Sequence, residues 1–143
     1  HLYREQIDRL YRKYAEAMKG SGKEIGIHAH NNLQLAFANT IEAIVLGSNR
    51  ADATMAGLGR GAGNCPMELL LGFLRNPKFK LRPVIRLLQE QMPEIRRTVE
   101  WGPLVPYNIT GQMNLHPRAA IEFRAGENRA DFVTFYDEIV NDT

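Results

Sequence analysis

The amino-acid sequence predicts an α/β chain. Strands alternate with helices over residues 1–77, and a mostly helical extension covers 78–143. Three observations lead there. Apolar residues recur at three- and four-residue steps over 2–19, 33–46 and 67–74, the period of a helix with one buried face. Two short segments between them, 24–30 and 50–56, are of strand type. After Asn76-Pro77 the alternation stops. Strands separated by helices of this length imply parallel pairing through helical crossovers.

The first helix is drawn by Tyr3, Ile7, Leu10, Tyr11, Tyr14 and Met18. Glu5 with Arg9 and Asp8 with Arg12 form acid-before-base pairs on its solvated side. Gly20-Ser21-Gly22 ends it. In the strand 24–30, Ile25, Ile27 and Ala29 point one way and Gly26, His28 and His30 the other. Asn31-Asn32 offer N-caps to a helix reaching residue 46, with Leu33, Phe37, Ile41, Ile44 and Val45 on its buried side and Gly47 as its stop. The second strand runs into a glycine-rich turn, Gly57-Leu58-Gly59-Arg60-Gly61-Ala62-Gly63-Asn64, and Pro66 opens the next helix. Beyond it, 82–99 is expected helical with a break near Pro93, 101–107 irregular because it holds two prolines, and 110–123 and 130–141 helical. Two strands are too few for a parallel sheet, which needs several neighbours and both faces covered. The expectation is that the chain oligomerises or that further strands lie in a segment outside these residues.

Composition narrows the function. With 44 % hydrophobic and 24 % charged residues, the 143-residue chain is ordinary globular material. A formal charge of +2 argues against nucleic-acid binding driven by bulk charge. No apolar run nears the roughly 18 residues of a membrane span. One cysteine excludes a disulfide framework and fits a reducing, cytoplasmic setting. The chain opens at His1 without a signal pattern, as expected of a piece of something longer. Asn108-Ile109-Thr110 is then an inert sequon.

The first chemical signal is His28-Ala29-His30-Asn31. Histidines at i and i+2 of a strand share a face, close enough for one metal ion. Both stand at the C-terminal end of a predicted parallel strand, where α/β folds place their sites. The alternative is one packed and one solvated histidine. The second signal is the glycine turn. Gly57, Gly59, Gly61 and Gly63 free backbone N–H groups to meet an anion of the substrate, or else simply allow a tight turn. A dinucleotide fingerprint is disfavoured, because the acidic residue expected about 20 positions on has no counterpart near 78–80. Asn64 either caps the next helix or donates oxygen to the metal. Cys65 is expected to be structural, and Asp52 and Thr54 share a strand face. Tyr107 and His116-Pro117-Arg118 are polar groups of the extension.

Taken in order, Gly26-Ile27-His28-Ala29-His30-Asn31-Asn32-Leu33, Asp52-Ala53 and the turn ending Gly61-Ala62-Gly63-Asn64 with Glu68 resemble the last two βα units of the HMG-CoA-lyase-like (DRE-TIM) family. The neutral ending of the turn, and the tail with Trp101-Gly102, are most like 4-hydroxy-2-oxovalerate aldolases. The resemblance covers about residues 24–75 and implies the closing units of a (β/α)8 TIM barrel. It implies a divalent-metal lyase working through a pyruvate-type enolate, with His28 and His30 as metal ligands, Asn64 as a third donor and Tyr107 as a catalytic group. The metal would be Mn²⁺ or Mg²⁺, with Zn²⁺ as a third option, and the substrate a 2-oxo acid. An aldehyde dehydrogenase partner follows from the same resemblance, whereas a homo-oligomer is expected from the exposed strand edges of so small a sheet. The rival readings are an acyl-CoA-dependent 2-isopropylmalate or citramalate synthase and a non-catalytic interaction module. The family's first-strand Asp and Arg have no counterpart before His28, so these residues alone are expected to be inactive.

Overall fold

A computed structural model of the chain describes residues 1–141. In chain order it contains α1 (Arg4–Met18), β1 (Gly26–Ile27), α2 (Ala36–Leu46), β2 (Arg50–Ala51), a 3₁₀ turn (Met55–Gly57), α3 (Met67–Leu74), α4 (Leu81–Glu90), α5 (Met92–Thr98), α6 (Val105–Gln112), α7 (Arg118–Ala125) and α8 (Phe132–Asn141). The two strands pair in parallel, with Gly26 opposite Arg50 and Ile27 opposite Ala51. The chain is therefore α/β, a small parallel sheet among helices.

Both strands are shorter than the sequence predicts. Pairing extends past the ladder only as single bonds, Asn49 N to Ile25 O (2.9 Å) and Asp52 N to Ile27 O (2.9 Å). At His30 the backbone leaves β2 and bridges Asn64 instead. The expected second strand cannot run through Ala56, whose left-handed conformation (φ 53°) no ladder accommodates. The two-residue periodicity of the first strand survives: Ile25, Ile27 and Ala29 are half-buried, and Gly26, His28 and His30 are exposed.

The expected caps at Asn31-Asn32 are displaced. Gln34 sits at φ 57°, so α2 starts only at Ala36, whose N–H donates to Asn31 Oδ1 (3.1 Å). Gly47 ends the helix in the left-handed region, and the Ser48 N–H returns to Ala43 O (2.8 Å), as a Schellman ending requires. Val45, expected inside, is 71 % exposed. The buried side of α2 is Ala36, Asn39, Thr40 and Ala43, small or polar residues that let α1 approach closely. Of the apolar stripe on α1 only Ile7 is buried, while Tyr3, Leu10 and Tyr14 stay exposed.

The second half departs more. The break near Pro93 occurs, between α4 and α5. Residues 101–107 are not wholly irregular, because Pro106 lies in the first turn of α6, where its missing N–H costs nothing. The expected helix 110–123 is cut by a loop at 113–117, with Asn114 at φ 55°.

Two buried clusters organise the packing. One joins Ala36, Cys65 and Leu70, covered by Ala29, Phe37, Ala51 and Ala53. The other joins Ala62 of the glycine turn to Tyr107, Ala120 and Phe135 of the extension. The extension thus docks on the turn. It also docks on the loop after β1, because Gly111 of α6 lies against the Asn32 backbone. A Cβ at Gly111 would meet Asn32 O at 2.7 Å. Gly111→Ala should therefore lower stability by about 1–3 kcal/mol, the overpacking penalty outweighing the gain in helix propensity. Gly72→Ala in α3, where a Cβ meets nothing within 4 Å, should raise stability by about 0.5–1 kcal/mol. Urea midpoints of the two variants moving the same way would refute the docking.

Candidate metal centre

The parallel register that sets Ile27 beside Ala51 also sets the following residues, His28 and Asp52, beside each other. His28 Nδ1 lies 3.1 Å from Asp52 Oδ2. The pair is open to solvent, His28 at 49 % and Asp52 at 68 % side-chain exposure. Strand alternation brings His30 to the same side, and the two rings stand 5.0 Å apart, edge to face at 74°. Partial burial holds the His30 pKa below the ordinary histidine value. The neighbouring His28 lowers it further, a hydrogen bond with the Asn64 side chain raises it, and Arg60 adds a smaller lowering.

Asn64 reaches His30 because the glycine turn folds back on itself. Asn31 N donates to Gly63 O (2.8 Å), Cys65 N to Ala29 O (3.2 Å) and Asn64 N to Gly57 O (2.9 Å). Asn64 does not cap α3, whose N-cap is Pro66. Its Nδ2 donates to Leu58 O (3.2 Å). The turn is close-packed backbone. Gly63 has φ 82°, and a Cβ there would lie 2.2 Å from Gly57 O. The Gly57 and Gly63 amides donate to Thr54 O and Arg60 O. Those two glycines therefore serve the turn, and their N–H groups are not free for an anion. Cys65 is fully buried, and burial raises its thiol pKa, so it remains a packed thiol.

Tyr107 does not reach this rim. It is 3 % exposed, inside the cluster with Ala62, Ala120 and Phe135. Its hydroxyl is hydrogen-bonded to Glu100, which receives Arg124 through two bonds, Nε to Oε1 (2.9 Å) and Nη2 to Oε2 (2.6 Å). Burial raises the tyrosine's pKa, and Glu100 adds to it. The helix containing Tyr107 was not expected, so its inward direction was not legible from the sequence. What the extension does bring to the histidines is the loop at 113–117. A cavity of about 570 Å³ is lined by His28, His30, Arg60, Asn114, His116 and Pro117, among others. Asp52 and Thr54 line a different hollow, beside His28 and Phe79. Sequence reasoning missed Arg60 and the His28–Asp52 pairing. The strand register was the signal that could have found the latter.

Two imidazoles on one rim, one backed by a carboxylate on its Nδ1, fit a divalent first-row ion. The Asp52 bond fixes the ring and leaves Nε2 to ligate. Among the described residues no three His, Cys, Asp or Glu side chains converge. The pair by itself would hold a metal weakly, and a further oxygen ligand is required.

The Tyr107 environment gives a pH prediction. Hydrogen bonding to Arg124 keeps the Glu100 carboxyl below its ordinary value. A lowered carboxyl adds stability above its ordinary pKa and loses it as the pH falls through the lowered value. Arg124→Met should be less stable than wild type at neutral pH, and the two should converge as the pH falls below about 4 in urea unfolding curves. Tyr107→Phe should cost about 1 kcal/mol of stability and leave metal uptake unchanged. Loss of metal uptake would return Tyr107 to the site.

Comparison with known proteins follows the same lines. The HMGL-like family model matches residues 2–99. Over 65 residues the chain is 49 % identical to an oxaloacetate decarboxylase from Mycobacterium tuberculosis, covering 45 % of this chain and 19 % of that protein. Over 71 residues it is 46 % identical to 4-hydroxy-2-oxovalerate aldolase 1 from Dechloromonas aromatica, covering 50 % and 20 %. The chain thus matches about a fifth of the length of these relatives. In structure it resembles the N-terminal domain of a protein described as an aldolase from Bacteroides vulgatus, with TM-score 0.68 and 29 % identity over 93 % of this chain and 44 % of that one. With the family model running from the first helix to the end of α5, the chain belongs to the HMGL-like family.

Proposed function

We propose that this chain carries the metal-binding rim of a lyase that cleaves or forms a carbon–carbon bond of a 2-oxo acid through a pyruvate-type enolate. The single observation behind this is the pair of rings, His28 and His30, on one face with Asp52 on His28 Nδ1. His28 and His30 would hold the ion, and Asn64, bonded to the His30 ring, is the nearest neutral oxygen donor. The ion, Mn²⁺ or Mg²⁺, would supply Lewis-acid polarisation of the substrate's keto and carboxylate oxygens. The chain's own part is positional. Asp52 fixes the His28 ring, the Asn64 hydrogen bond fixes the His30 ring, and the glycine turn holds Asn64 in place.

The two strands are proposed as the last two of a (β/α)8 barrel whose other strands, with the missing carboxylate ligand and an enolate-stabilising Arg, lie outside these residues. The short share of the relatives that the chain covers supports this, as does the bare stripe on α1. A barrel needs about 250 residues, so these residues alone would be inactive. The names of the relatives favour a lyase over an acyl-CoA-dependent synthase. An aldol cleavage of a 4-hydroxy-2-oxo acid and a decarboxylation of a 2-oxo diacid both pass through the same pyruvate enolate.

In the full-length protein, His28→Ala and His30→Ala should each abolish metal-dependent release of pyruvate from 4-hydroxy-2-oxo acids, while far-UV circular dichroism stays unchanged. Asp52→Asn should weaken Mn²⁺ binding by about 10–100-fold in calorimetric titration. Full turnover of both histidine variants after chelator treatment would defeat the assignment.

A further inference from the structure

The side of the cavity facing the histidines is built by two cationic or donor side chains that the metal chemistry does not use. Arg60 sits at the apex of the glycine turn, where the backbone is exposed. Its neighbour Gly61 packs against the extension, because a Cβ there would meet Tyr107 at 3.5 Å and Pro117 at 3.7 Å. Arg60 and His116, the residue before Pro117, both line the cavity that holds His28 and His30. The loop holding His116 is braced by Leu115 N to Thr110 O (2.8 Å) and Asn114 N to Gly111 O (3.1 Å). His116 Nδ1 accepts the Arg118 N–H (3.1 Å). In the neutral ring the proton is then on Nε2, which is left as a donor. Arg60 has no carboxylate partner among the ion pairs of the described residues.

We propose that Arg60 and His116 form an anion subsite of this cavity that takes a second carboxylate, at the end of the substrate remote from its 2-oxo group. The inference rests on the reading of the cavity as the substrate site and deepens it to one class, 2-oxo diacids. A guanidinium without a carboxylate partner and an imidazole donor, lining one cavity, offer the charge and the hydrogen bonds that a carboxylate needs. The Gly57 and Gly63 amides do not, since both are spent inside the turn.

The test titrates malonate, and acetate as a monocarboxylate control, into the intact metal-free protein by calorimetry. Wild type should bind malonate saturably and more tightly than acetate. Arg60→Gln should lose about tenfold in malonate affinity, the effect of one charge-assisted hydrogen bond, and His116→Phe should weaken it in the same direction. Circular dichroism of both variants establishes that they fold. Malonate binding unchanged in Arg60→Gln, or absent in wild type, overturns the subsite. Mn²⁺ uptake is measured separately. A protein that takes up no metal yet binds malonate through Arg60 refutes the metal reading and upholds the subsite.

Discussion

The structure hangs on one close approach of backbone to backbone. Gly63 lies so near the Gly57 carbonyl that a Cβ would stand 2.2 Å from its oxygen and 3.3 Å from Trp101 Cδ1. Only glycine fits there, and its φ of 82° is one that other residues adopt at a cost. The turn is locked from both sides. Ala56, left-handed itself, donates its N–H to Glu68 Oε2 (3.0 Å), and its carbonyl accepts the Trp101 Nε1–H (2.9 Å). Trp101 in turn lies under the Arg96 guanidinium, 4.1 Å from the ring centroid. Two residues, Gly63 and Asn64, then separate the two cores, Ala62 in one and Cys65 in the other. The turn is the joint through which the helical extension and the small sheet become one packed body.

That joint also governs the rim. Because the turn closes tightly, its last residue is delivered to the end of β1, where Asn64 bridges His30. His30 has its ring bonded to Asn64, while His28, one step back on the same exposed face, leans on Asp52. The rings differ in surroundings although the sequence motif makes them look equivalent. One is oriented by a carboxylate and the other by an amide.

The sequence exposes this arrangement unevenly, for physical reasons. Two-residue periodicity suffices to put His28 and His30 on one face, since it depends only on strand geometry. Helix existence was also legible where apolar spacing is strong, as in α1 and in the pair α4 and α5. What failed depended on partners. Strand lengths depend on which neighbours exist, and residues 24–30 and 50–56 had only each other. Pro106 reads as a breaker from sequence, because its position relative to the helix start depends on the docking of α6. Tyr107 is assigned to the site by the resemblance alone. Its burial is decided by Ala62, Ala120 and Phe135, residues from three separate segments whose meeting no local pattern announces.

The charge balance of the cavity argues for what it should hold. A divalent ion on the histidines would add two positive charges beside Arg60, and the nearest carboxylate, Asp52, is 68 % exposed and turned to the other hollow. These residues alone leave such a site poorly compensated, and the one carboxylate ligand proposed from the rest of the barrel would be balanced by the Arg proposed with it. A monoanionic 2-oxo acid corrects only part of that excess, and a neutral tail leaves Arg60 unanswered. A dianion can neutralise the ion with one carboxylate and Arg60 with the other, and the two charges then reinforce rather than oppose each other. The same reasoning explains why Arg60 is tolerable so near a cation site. It is exposed at the apex of a turn whose conformation is fixed by glycines, so water screens it when the cavity is empty, and its attraction grows once substrate displaces that water.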